Sequence, residues 1–255
     1  MSITLPDLTG NVLVYMLVFA RVGAMVMLLP SIGETGVPAR VRLVLALAIS
    51  FALAPTVTSA YAGTAAPSTA MALGLLMAQE TTIGILVGTM ARIVMSALHI
   101  AGFLIATQTG LAYAQTLDPT QGAQGAVMGN FLSILGALMI FLTNLHHLAI
   151  GAIAGSYRLM PPGEALPTAD MAELTITLVS GAFALGFQLA APFLVFGFAV
   201  YAGLGLLARL MPQLQIFFVA VPINIVCGFL IFVAMLGAMM TIYLNYYATQ
   251  MGNFL

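Results

Sequence analysis

The sequence predicts an all-α integral membrane protein of about six long apolar helices, and three observations lead there. Hydrophobic residues fill 62% of the 255 positions and charged residues only 5%, where an ordinary soluble domain carries roughly 25%. Six Arg, seven acids and no Lys cannot cover a water-facing exterior, so lipid or a large protein assembly must cover it. Six stretches reach the ~20 mostly apolar residues that one bilayer crossing needs, and Pro and Gly clusters separate them.

The first stretch is Asn11–Leu29. Met1–Asp7 lacks the positive region of a secretory signal, and no convincing small-residue cleavage site follows, so Asn11–Pro30 reads as a retained helix. Pro30, Gly33, Gly36 and Pro38 then mark a loop. The second stretch, Val41–Ala60, ends at Gly63 and Pro67. The third, Met71–Ala97, and the fifth, Leu174–Leu207, are longer than one crossing. Each would need tilt, a kink or a protein environment beyond the hydrocarbon, and Pro192 supplies a kink in the fifth. The fourth, Ala126–Gly155, runs into Pro161, Pro162, Gly163 and Pro167, and the sixth is Leu214–Leu244. The exceptional connection is Thr107–Gly125, polar yet nearly uncharged and rich in Gly and Gln. It is neither a good span nor a typical solvated loop.

Arg positions give an orientation, because short cytoplasmic loops retain positive charge. With the N-terminus outside, Arg40, Arg42, Arg92 and Arg209 fall on or near the cytoplasmic side. Only Arg158 opposes the rule, beside Glu164, Asp170 and Glu173.

Three charges fall inside apolar stretches. Arg21 lies near the middle of the first, where insertion costs ~2.5–3.5 kcal/mol and some ten strongly apolar residues offset it. It is expected to face protein, with one reading a carboxylate on a neighbouring chain and the plainer one snorkelling or a bond to a backbone carbonyl. Glu80 and Arg92 stand twelve positions apart, ~18 Å along a straight helix, and cannot pair with each other. Glu80 and His99 without an obvious third member make a poor proton relay. The stripes Gly84-x-x-x-Gly88, Gly125-x-x-x-Gly129 and Gly151-x-x-x-Gly155 permit close helix contact, within the chain or between subunits.

The pattern excludes several function classes. A net charge of -1 and no basic run argue against nucleic-acid binding. The single Cys227 excludes an internal disulfide and reads as a buried, inert thiol. His146 and His147 are adjacent and point ~100° apart on a helix, which suits helix-end hydrogen bonding better than a shared metal. Gly203-x-Gly205-x-x-Ala208 matches a dinucleotide fingerprint only formally, since no strand precedes it. No nucleophile with base and orienter and no phosphate loop stands out, so the sequence is read as a non-enzyme without cofactor or metal.

One motif is more specific. Arg209-Leu-Met-Pro212-Gln213 through Phe217 to Pro222, with Gly228 six residues beyond, resembles the signature of the FliR family of flagellar export-gate subunits. Arg21, the Pro30–Arg42 loop, Glu80 with Gly84, and the Gly102–Pro119 segment fit the same pattern along the chain. The resemblance implies a helical gate subunit of the bacterial inner membrane and flagellar basal body that assembles with FliP and FliQ homologues. An FlhB homologue would sit at its cytoplasmic entrance, and unfolded flagellar proteins would be the cargo. It implies a single membrane domain, 1–255, with a FliP-like part, 1–173, and a FliQ-like hairpin, 174–255, turning at Arg209–Gln213 with Arg209, Pro212, Gln213, Phe217 and Pro222 as partner contacts. It also implies that loop 107–125, through Gly110, Leu111, Tyr113, Gln115, Asp118, Pro119, Gln121 and Gly122, plugs the closed channel. Irregular Gly- and Gln-rich backbone suits a protein-lined cavity; without the resemblance, a flexible connection fits this segment equally well. Rival readings are an injectisome gate subunit, a small-solute transporter, for which no internal repeat is found, and a scaffold that does not line the path.

Overall fold

The computed structural model describes residues 5–111, 127–211 and 216–254 except 31, 35 and 62–68; side chains of 5–11 and 216–219 are also outside the description. The described helices are α1 (Leu5–Leu28), α2 (Ala39–Val57, followed by a 3-10 turn, Thr58–Tyr61), α3 (Ala70–Gln108), α4 (Val127–Leu142), α5 (His146–Leu159), α6 (Thr168–Leu210) and α7 (Ile216–Gly252). The all-α reading holds, and the apolar stretches map onto these helices in order, with two differences.

The fourth stretch is not one helix. It breaks at Thr143–Leu145, where Asn144 takes a left-handed backbone (φ 59), a conformation that Asn tolerates better than most residues. The other difference is length. α3 runs eleven residues past the expected Ala97 to Gln108, and α6 starts six residues before Leu174. At 39 and 43 residues, α3 and α6 are ~58 and ~65 Å long, against a hydrocarbon layer of ~30 Å. Pro192 lies inside α6 and Pro222 inside α7, and both helices continue through them.

Among the described residues, four helical segments are long and apolar enough to cross a membrane, or five if the broken pair α4 and α5 forms one span. The apolar part of α1, Val12–Leu28, falls below that length. The chain is a multi-pass membrane protein with fewer self-evident crossings than six. The apolar windows of the second, sixth and seventh helices are only 22–33% buried inside the chain.

The chain divides into two compact units. The first comprises Met1–Val94, Phe141–Leu178 and Ala248–Leu255. In it α1 buries Leu17, Val18, Arg21, Val22, Met25 and Val26, pairs of neighbours recurring every four residues that make one continuous helix face. Ile83, Val87 and Met90 of α3 and Ala152, Ile153 and Tyr157 of α5 are buried in the same unit. The second unit comprises Met95–Ile140 and Val179–Tyr247. Its core holds Leu98 and Ile105 of α3, Leu132 of α4, Phe193 of α6 and Phe232 and Tyr243 of α7. The Phe193 and Phe232 rings lie 6.3 Å apart, and the Tyr243 hydroxyl donates to the Met95 sulfur at 2.9 Å.

Candidate functional site

The charged centre of the first unit is built around Arg21, which is 0% exposed. Its Nε donates to Glu80 Oε2 at 2.6 Å and its Nη2 to Glu80 Oε1 at 3.1 Å, a bidentate pair between α1 and α3. Nη2 also donates to the Met160 carbonyl at 3.0 Å, and Nη1 to the Ser156 carbonyl at 3.2 Å and hydroxyl at 3.4 Å. An arginine has five N–H donors, and here five oxygens receive them. The Tyr157 ring covers the guanidinium, 4.0 Å from its carbon.

Two of those oxygens are the Ser156 carbonyl in the last turn of α5 and the Met160 carbonyl just beyond it, at the end of the helix where the macrodipole is negative. Arg21 therefore neutralises Glu80 and caps α5 together, joining three helices at one buried point. Next to it, the Gln79 side chain donates to the Glu164 carbonyl at 2.5 Å.

Glycine makes the pairing possible. A Cβ on Gly84, one turn beyond Glu80, would run into the Arg21 carbonyl oxygen and lie 2.8 Å from the Ala24 Cβ. One on Gly88 would lie 2.8 Å from the Leu28 Cβ. The bare stripe of α3 thus lets α1 approach at backbone contact, the use that small-x-x-x-small stripes have in membranes.

Of the two readings for Arg21, the one with a carboxylate on a neighbouring chain is corrected here: the carboxylate comes from Glu80 of the same chain. The carbonyl part of the plainer reading holds. Glu80 and Arg92 do not meet, as their spacing requires. Sequence reasoning missed Ser156, Tyr157 and Met160, and the only signal for the pair was two opposite charges in separate apolar stretches with a glycine one turn away. Arg92 is exposed on α3.

In the second unit the described start of the plug-like segment is held in place. α3 ends at Gln108, and Gly110 follows with a left-handed φ of 77, the backbone that closes a helix C-terminus. The Gln108 carbonyl accepts from Asn224 Nδ2 at 3.3 Å. Its side chain lies where a Cβ on Gly197 of α6 would be, and Thr109 presses on Gly228 of α7. Leu111 lines a narrow crevice with Ile105, Thr109, Met128 and Phe232. Tyr113, Gln115, Asp118, Pro119, Gln121 and Gly122 lie outside the described residues.

At the hairpin, Arg209 is exposed in the last turn of α6 and Pro222 is exposed within α7. Pro212, Gln213 and the Phe217 side chain lie outside the described residues. The formal dinucleotide fingerprint is plain helix in α6, with nothing within 4 Å of the position a side chain would take at Gly203 or Gly205. His146 and His147 open α5 with ring centroids 4.2 Å apart. Cys227 is partly exposed rather than buried.

A family model described as bacterial export proteins, family 1, matches residues 12–249. The chain is 43% identical over 218 residues to the flagellar biosynthetic protein FliR of Caulobacter vibrioides, with 86% of each covered. It is 31% identical to the flagellar biosynthetic protein FliR of Escherichia coli, over 85% of this chain and 81% of that one. To the Yop proteins translocation protein T of Yersinia pestis it is 30% identical over 157 residues, 61% of this chain and 60% of that protein.

Proposed function

The chain belongs to the bacterial export proteins, family 1, and from that premise we propose that it is a subunit of the flagellar type III export gate. It would sit in the bacterial inner membrane at the flagellar basal body and help to form the channel through which unfolded flagellar proteins leave the cell. The observation that carries this reading is the similarity to flagellar FliR proteins over more than four-fifths of the chain. The fold supports it: α6 and α7 are longer than a bilayer is thick, and with only 33% and 22% of their apolar windows buried within the chain they call for other subunits as well as lipid to cover them.

The working partners are FliP and FliQ homologues in the gate and an FlhB homologue at the cytoplasmic entrance, where the Arg209–Pro222 turn would contact it. Residues 1–173 act as the FliP-like part and the α6–α7 hairpin, within 174–255, as the FliQ-like part. Loop 107–125 plugs the closed channel. Gln108, Thr109 and Leu111 hold its first end against α6 and α7, so the rest can move aside without losing its anchor. The protein moves chains and performs no chemistry of its own.

The Yersinia relative favours a second reading, an injectisome gate subunit. Deletion of the gene separates the two: loss of flagella fits the first, and loss of effector secretion with intact flagella fits the second.

The gate reading is tested by shortening Gly110–Gly125 in cells and measuring ion leak, flagellar export and co-purification with FliP and FliQ homologues. Leak with intact assembly is the expected result. Intact assembly with no leak and normal export would reduce the segment to a connector and leave a scaffold.

A further inference from the structure

The outward face of α3 within the first unit is formed by Ala78, Thr82, Ile85, Thr89 and Arg92, all exposed and recurring every three or four residues. The two threonines ask for nothing, because each hydroxyl already donates to the carbonyl four residues back, Thr82 to Ala78 at 2.8 Å and Thr89 to Ile85 at 2.7 Å. Arg92 is different. It makes no hydrogen bond or ion pair among the described residues, in contrast to Arg21, all of whose donors are matched.

We infer that this face of α3 docks an apolar helix of another gate subunit that carries a buried carboxylate opposite Arg92. The inference rests on the proposed function in requiring a multi-subunit assembly.

Two arguments support a protein occupant. Arg92 is followed by sixteen residues of helix to Gln108 and preceded by twenty-two back to Ala70, both predominantly apolar. If it lies within the hydrocarbon, an unpaired guanidinium there costs several kcal/mol and calls for a counter-charge. If it lies at the edge, one of those apolar runs, ~24 or ~33 Å long, projects beyond the bilayer and must be covered by protein. The first placement puts a protein surface beside Arg92, and the second leaves exposed apolar side chains of the projecting run, such as Ile85 or Phe103, for a protein to cover.

The chain itself has little to offer it. Of the seven acids, Glu80 is committed to Arg21, Glu164 lies in the Pro-rich loop before α6, and Asp170 and Glu173 lie in the first two turns of α6. Glu34 lies in the loop before α2, Asp7 at the start of α1 and Asp118 outside the described residues. No described transmembrane-length segment apart from α3 carries an acid beyond its first two turns. A carboxylate at membrane depth therefore comes from a partner, and its helix would meet Ile85 and Thr89 with small or apolar side chains.

The test uses the full chain co-expressed with its sibling subunits. Wild-type chain that fails to co-purify with them would sink the gate reading itself. Given wild-type assembly, Arg92→Leu should lower the siblings recovered by roughly thirtyfold or more, the effect of breaking one buried interfacial charge pair, while Arg92→Lys stays within a few-fold. A benzophenone side chain at Thr89 should yield an adduct with a sibling subunit, and the same group at buried Val87 should not. Export lost in Arg92→Glu should return with an Asp or Glu to Lys change in that sibling. Normal recovery of Arg92→Leu, no protein adduct at Thr89, or a suppressor at Asp118 of the same chain would each overturn the inference.

Discussion

Removing Arg21 alone should do more damage than removing Arg21 and Glu80 together. Arg21→Met leaves the Glu80 carboxylate, 1% exposed, with no counter-charge, and breaking one side of a buried pair costs ~3–5 kcal/mol. A Coulomb term for charge centres ~4 Å apart, ~4 kcal/mol at an effective dielectric of 20, is of the same size. Glu80→Leu strands the guanidinium in the same way, although the Ser156 and Met160 carbonyls and the Ser156 hydroxyl still receive three of its bonds, so its cost should be the smaller. In the double variant both charges are gone. The Ser156 carbonyl keeps its bond from the Met160 N–H, and only the Met160 carbonyl loses the donor it had from Arg21, at ~1 kcal/mol. The double variant should therefore lie within ~1–2 kcal/mol of wild type, since apolar replacement of a buried pair is often neutral. Unfolding of the purified chain in detergent micelles, followed as a thermal or dodecyl sulfate midpoint, gives the order. Wild type and double variant should unfold latest and Arg21→Met first. Additive losses, with the double variant the least stable of all, would refute the claim that the two charges act as one unit.

Gly84→Ala places a methyl group against the Arg21 carbonyl, so it should lower the same midpoint by ~1–3 kcal/mol, the usual cost of overpacking. Gly74→Ala, with open space around it, should be neutral or slightly stabilising through better helix propensity. Equal effects at the two positions would show that α1 and α3 do not meet at Gly84. In the second unit, a Cβ on Gly102 would run into the Gly129 backbone, so Gly102→Ala should reduce accumulation of folded chain, while Gly203→Ala and Gly205→Ala leave it unchanged. Sensitivity at Gly203 or Gly205 comparable to that at Gly102 would mean that those glycines serve a partner. Asn224→Ala removes the side-chain donor to Gln108 and should raise ion leak through the assembled gate without loss of subunits, readable by the same conductance assay as the loop deletion; unchanged leak would separate this anchor from gating.

The amino-acid sequence alone determined the membrane class, the all-α fold and the positions of the apolar helices. Those properties follow from local composition and from where Pro and Gly interrupt it, and the chain cannot escape them in any tertiary arrangement. The family resemblance was legible for the same reason, since Arg209–Pro222 is a contiguous string. The tertiary structure decided what the charges do. Arg21 and Glu80 are 59 residues apart, and their meeting depends on which faces of two helices touch, which Gly84 permits but does not announce. The other acceptors are backbone carbonyls of Ser156 and Met160, and a carbonyl is the same at every residue, so nothing in the sequence marks it as the end of a helix awaiting a guanidinium. The break at Asn144 is a related case: composition supports a helix there as well as a turn, and only the folded chain shows which of them it takes.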